Sequence, residues 1–268
     1  MSSRTSVRVD RREMIKPAWW IAGIVVLVVD LCAWYAPMRA APNASKGVLD
    51  MLEPRLAPLL VDYFHTFLQD HDLEAFRVRV WARYSEGTLS RVVAMGDVQA
   101  RRAAVFALGL VGSFNANSSV AGALKDPDVT VRGLAEQSLW TIWRNADTPE
   151  NNTELDAIGA LIAEQRYEAA IERADRLIAR SPRFAEAYNQ KAIAEFCLGR
   201  FEASIQSCRQ VLERNEYHLG ALSGMGQCQL RLGRIDQAIA AYRRALKIQP
   251  YHDANRDLVE RLERMKHE

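Results

Sequence analysis

From residue 151 to the C-terminus the chain repeats itself every 34 residues, and this period limits its possible folds more than any other feature. With Asn151, Ala185 and Leu219 set in register, Ile171, Ile205 and Ile239 coincide, as do the small residues Ala170, Ser204 and Ala238. Arg166-Tyr167, Arg200-Phe201 and Arg234-Ile235 fall together, each followed by an acid: Glu168, Glu202 and Asp236. Leu177-Ile178, Val211-Leu212 and Ala245-Leu246 close the units. Pro182 and Pro250 stop the first and third, while Glu216 stands in that place in the second. Each unit reads as helix, turn, helix. A helix pair of this size cannot bury its apolar face alone, so the units must stack.

The third unit, ALSGMGQCQLRLGRIDQAIAAYRRALKIQP, resembles the tetratricopeptide (TPR) repeat family. Gly226, Ala238 and Ala245 supply the small residues where helices cross, and Gly199 and Gly233 the turn after each first helix. The first unit departs from the pattern, with Gln165 in place of the turn glycine and Ile158 where a small residue is usual. The resemblance implies three TPR units over 151–252. It also implies a capping helix over 253–268, with Leu258, Val259, Leu262 and Met265 facing inward. It further implies that the first helices line a groove that grips a partner peptide or helix. Carried over by matching position, that groove is Asn189, Ile193, Phe196 and Cys197 from the second unit, and Ser223, Gln227, Leu230 and Arg231 from the third. The first unit offers Leu155, Gly159 and Ile162. Arg231 would anchor a carboxylate. The cation-lined clamp of chaperone-binding TPR proteins is not met.

A second repeat lies upstream. Asp97-Val98-Gln99-Ala100-Arg101 aligns with Asp128-Val129-Thr130-Val131-Arg132, an offset of 31 residues, and the match continues at Ala104 with Ala135 and Leu108 with Leu139. Helices are expected at 89–95 and 98–111, then at 119–125 and 128–143. NANSS, residues 115–119, reads as a polar turn, with Ser118 or Ser119 as N-cap. An Asp at the inter-helix turn, a following Val and Arg, and then ALGLVG resemble HEAT-like repeats, including those named after phycobilin lyases. By that resemblance Asp97, Arg101, Asp128 and Arg132 tie neighbouring units together. Lyase activity does not follow from the repeat. Upstream again, Leu52, Leu56, Leu59, Leu60, Tyr63, Phe64, Phe67 and Leu68 share a helical face, and a further helix is expected to end near Gly87. The HEAT-like part is set at 49–146, and the polar run 144–152 separates it from the TPR units.

Residues 17–37, PAWWIAGIVVLVVDLCAWYAP, are long and apolar enough to cross a bilayer, with Trp19, Trp20, Trp34 and Tyr35 at the two interfaces. Arg4, Arg8, Arg11, Arg12 and Lys16 form a basic tail, 1–16, which by the positive-inside rule stays in the cytoplasm and places the repeats on the other side. Asp30 opposes insertion by about 3 kcal/mol. A cleaved signal peptide is the competing reading, although Met38-Arg39-Ala40 puts a bulky residue where a cleavage site needs a small one. Residues 38–48 form a linker.

Net charge is +2, so the overall balance does not point to nucleic acid. Cys32, Cys197, Cys208 and Cys228 form no close pair and read as core residues. His65, Asp70, His71 and Asp72 cluster at a helix end, where capping accounts for them better than a metal. No nucleophile elbow, phosphate loop, HExxH or dinucleotide fingerprint is present. The expectation is an all-α solenoid of HEAT-like and TPR hairpins behind one transmembrane helix: a protein-binding adaptor, not an enzyme, with no cofactor, metal or small-molecule substrate. The alternatives are a HEAT-like lyase or cofactor-handling protein, and a structural subunit of a larger assembly.

Overall fold

Short polar side chains set most helix starts in the first half of this chain. The computed structural model describes residues 57–267. In order these are α1 (Pro58–Asp70), α2 (Leu73–Arg83), α3 (Glu86–Met95), α4 (Val98–Val111), α5 (Asn117–Ala123) and α6 (Val129–Arg144). Then follow α7 (Pro149–Ala163), α8 (Tyr167–Arg180), α9 (Ala185–Cys197), α10 (Phe201–Arg214), α11 (Leu219–Arg231), α12 (Ile235–Ile248) and α13 (Asp253–His267). A 3-10 turn, Phe114–Ala116, precedes α5. Asp72, Ser85, Asp97, Asp128 and Thr148 each accept a hydrogen bond from the backbone N–H three residues on, and so start α2, α3, α4, α6 and α7. Among the described residues all regular structure is helical, and no helix is long and apolar enough to cross a membrane. The basic tail 1–16, the anchor expected at 17–37, the linker 38–48 and the positions Leu52 and Leu56 lie outside the described residues.

Two local expectations are corrected. The helix expected to end near Gly87 ends at Arg83, because Tyr84 is extended and Ser85 caps a new helix that contains Gly87. The polar turn expected at NANSS is helical: α5 begins at Asn117 without a side-chain cap, so neither Ser118 nor Ser119 serves as one. The reason is tertiary. Asn117 is buried, and its side chain accepts from Trp143 Nε1 at 2.7 Å and donates to Asn215 Oδ1 at 2.9 Å.

α1, α2 and α4 meet in a box of four phenylalanines, Phe64, Phe67, Phe76 and Phe106, with ring centroids from 4.9 to 6.5 Å apart. Between α4 and the α5–α6 turn the ties are arginine forks. Arg101 grips Asp126 at 2.7 and 3.0 Å, and Arg102 grips Asp128 at 2.9 and 2.6 Å. Asp97 only caps, and Arg132 donates to the Asp126 and Pro127 carbonyls of its own turn at 2.8 and 2.9 Å. Arg102 therefore takes the bridging part that the repeat alignment assigned to Arg132.

The 34-residue identities downstream have a direct physical meaning. Arg200 of one hairpin bonds Glu168 of the hairpin before it, and Arg234 bonds Glu202 in the same way, at 3.0 and 3.2 Å. Such exposed pairs contribute about 0–1 kcal/mol each, so they set register more than stability. Gly226 lies against the Tyr242 ring, where an added Cβ would come within 2.7 Å. Gly199 and Gly233 hold positive φ values of 76° and 72°, and Gln165 adopts the same left-handed turn at 61° without being glycine. On α13, Val259 and Leu262 are buried against Ala238, Ile239 and Tyr242, and Leu258 is half-buried. Met265, expected to face inward, is exposed instead.

Candidate functional site

The first helices of the hairpins, α7, α9 and α11, touch in sequence order and form one continuous face. Positions three and four apart on each helix share that face. The eight positions expected to line a groove differ in access. Asn189, Ile193 and Phe196 are 3, 2 and 8% exposed. Cys197, Ser223, Gln227 and Leu230 are half-buried, and Arg231 is exposed. In the first unit Leu155, Gly159 and Ile162 are all buried. The accessible surface therefore lies in the downstream half, around Leu230 and Arg231. The Arg231 guanidinium sits 5.8 Å from the centroid of the Phe196 ring.

Along the turns of the array lies α6. Its residues 132, 136, 140 and 143 share one helix face, and that face meets successive inter-hairpin turns in reverse order. Arg144 pairs with Asp156 of α7. Trp143 stacks on His218 at 4.5 Å and 21°. Trp140 packs so close to Gly220 that a Cβ there would meet its ring at 2.8 Å. Glu136 accepts from Gln249 at 2.9 Å, and Arg132 lies over the Tyr251 ring at 4.1 Å. One helix from the upstream part of the chain thus packs on the turns before α11 and α13, with a further ion pair to α7.

At the centre of this seam is a fully buried pair. His218 Nδ1 accepts from the Ala221 N–H at 3.0 Å, capping α11, so its Nε2–H donates to Glu186 Oε1 at 2.6 Å. Asn189 Nδ2 donates to the other Glu186 oxygen at 2.9 Å. Burial works against the Glu186 carboxylate, but His218, the Asn189 amide and the Arg144 guanidinium together hold it below the ordinary carboxylate range. With its folded pKa below the unfolded one, Glu186 adds stability that is fully present above the ordinary value of 4.5 and is lost as pH falls through the lower folded value. Thermal melting followed against pH should therefore show the parent losing stability more steeply than Glu186→Gln below pH 4.5. Parallel curves would remove Glu186 from the acid response.

The sequence pattern did not pick out Trp140, Trp143, Glu186, His218 or Asn117. A signal was present: α6 carries buried or half-buried apolar residues around most of its circumference, which marks a helix packed on two sides. Asp70, His71 and Asp72 lie at the turn between α1 and α2, where Asp70 accepts from the Asp72 N–H at 2.9 Å and Asp72 caps α2, while His65 lies within α1. Burial pushes the Cys197, Cys208 and Cys228 thiols up, the last to about 11, so all three stay protonated at neutral pH. Cys197 thus adds soft apolar surface to the face rather than a nucleophile.

Residues 183–250, which span α9 to α12, match the tetratricopeptide repeat family. The match takes in these two hairpins, and the first hairpin lies outside it. No curated protein matches the chain. Among solved structures, YrrB, described as a TPR protein with an unusual peptide-binding site, is 13% identical. The similarity covers 76% of this chain and 92% of that one, with a TM-score of 0.39.

Proposed function

We propose that this chain is a membrane-tethered adaptor that holds a peptide or helix of another protein on the downstream half of its TPR face. One observation carries the reading. Beside hairpins of a typically non-catalytic, binding repeat, α6 packs on the turns before α11 and α13, while Ser223, Gln227 and Leu230 stay partly accessible and Arg231 is exposed. An apolar side chain would seat beside Leu230 and Cys197, and an acidic one would pair with Arg231. Residues 49–146 are read as a HEAT-like block that positions α6. The apolar run 17–37 is read as the anchor, with the repeats on the non-cytoplasmic side.

Selection of displayed peptides on the full-length protein tests the groove. It should enrich peptides that pair an apolar residue with an acid. Arg231→Glu should weaken the selected peptides by about tenfold, roughly 1.4 kcal/mol, and Leu230→Glu by more. Selection without enrichment, or affinities unmoved by either variant, would remove the groove. Alkaline extraction of membranes carrying the full chain tests the anchor separately: release into the wash would end that part of the reading.

A further inference from the structure

Among the described residues, the side of α2 turned away from the phenylalanine box is exposed. Phe76 and Val80 point into the protein and are buried. On the opposite side Trp81 is 69% exposed and Val78 56%, with Ala82 exposed beside them. The helix, LEAFRVRVWAR, carries three arginines against one glutamate. Arg77 flanks one edge of the apolar stripe and is held by Glu74 through two hydrogen bonds of 2.9 and 2.7 Å. Arg79 and Arg83, one turn apart, flank the other edge. Both are exposed and make no ion pair among the described residues.

We infer that α2 lies on the surface of an anionic lipid bilayer, with Trp81 and Val78 in the headgroup boundary and Arg79 and Arg83 on lipid phosphates. Three features select this occupant. An apolar stripe of Val78, Trp81 and Ala82, with the tryptophan at the edge beside Arg77 and long side chains that can keep their charge in water, suits an interface that is apolar on one side and wet on the other. The excess of arginine is complementary to anionic headgroups. The stripe is also small. An 11-residue helix spans about 16 Å, less than a stable protein interface needs, which is near 800 Å² on each partner. A bilayer demands no matching shape. Proximity adds to this, and here the inference rests on the proposed tether: the apolar run ends at Pro37, and 20 residues separate it from α1 at Pro58.

Hydroxyl-radical footprinting of the full-length protein, read residue by residue by mass spectrometry, tests the contact. The protein would be reconstituted in phosphatidylcholine vesicles with and without phosphatidylglycerol, and compared in detergent. Trp81 oxidation should fall at least about fivefold when phosphatidylglycerol is included. Arg79→Glu/Arg83→Glu should restore it. Met95, 75% exposed on α3, serves as the internal reference. Equal Trp81 oxidation in both vesicle types overturns the inference. So does protection already present in detergent, which would mean that another part of the chain covers the stripe. Alkaline washing of the same vesicles separates the two readings. Protein washed off after Trp81 was protected leaves this inference standing without the anchor; protein retained with Trp81 fully oxidised does the reverse.

Discussion

Trp143→Ala is expected to lower the stability of the folded unit by about 4 kcal/mol, with a clear shift of the urea midpoint. Trp143 is almost fully buried, and three separate losses follow its removal. The indole volume becomes a cavity between α6 and the turn before α11. The stacking on His218 disappears. Asn117 Oδ1 loses its donor while still held by its amide on Asn215. Trp143→Phe separates these contributions. It keeps most of the volume and the ring contact but leaves Asn117 Oδ1 unpaired, and it should cost about 1–3 kcal/mol. Circular dichroism and tryptophan fluorescence, followed through the same titration, give the measurement. If the alanine variant is no less stable than the phenylalanine variant, the seam does not hold α6 against the hairpins, and the account of α6 packed along the turns fails with it.

Phe64→Ala is the second large effect, expected at about 3–5 kcal/mol. Phe64 touches Phe67, Phe76 and Phe106, so its loss opens the box where α1, α2 and α4 meet. Stacked repeats are close to one-dimensional, and a lesion at one end can melt that end alone. Here α6 belongs to the upstream block and is bolted along the downstream turns by Trp143, Trp140, Glu136 and Arg132. Phe64→Ala should therefore lower the melting temperature of the whole unit in one transition. Combined with Trp143→Ala, the unfolding should split into two steps, visible by calorimetry. A single variant that already shows two steps would mean that the seam transmits little between the blocks.

The hairpins downstream were legible because a stacked repeat writes each contact several times. Arg200 and Arg234 recur with Glu168 and Glu202 since each arginine reaches back one hairpin. Gly226 is small because Tyr242 crosses over it. The upstream helices were legible from their caps, Asp97 and Asp128 above all, because a capping bond is local to three residues. Contacts made once leave no such trace. Ser118 and Ser119 looked like caps, yet the preceding asparagine was drawn into the interior by a tryptophan 26 residues on and an asparagine 98 residues on.

The sequence by itself determined most of the helices, the hairpin order and the 34-residue register of the downstream units, because helix periodicity, capping and repeat spacing are properties of neighbouring residues. It also marked positions on the first helices that share one face. Only the tertiary structure decided which of them a partner could reach. Asn189 and Ser223 hold equivalent places in their repeats, but one is buried beside the Glu186–His218 pair while the other stays accessible. Nor does the repeat place α6, a helix outside it that crosses the turns before α11 and α13 on aromatic and charged side chains. No periodic signal records where a helix from another part of the chain will lie.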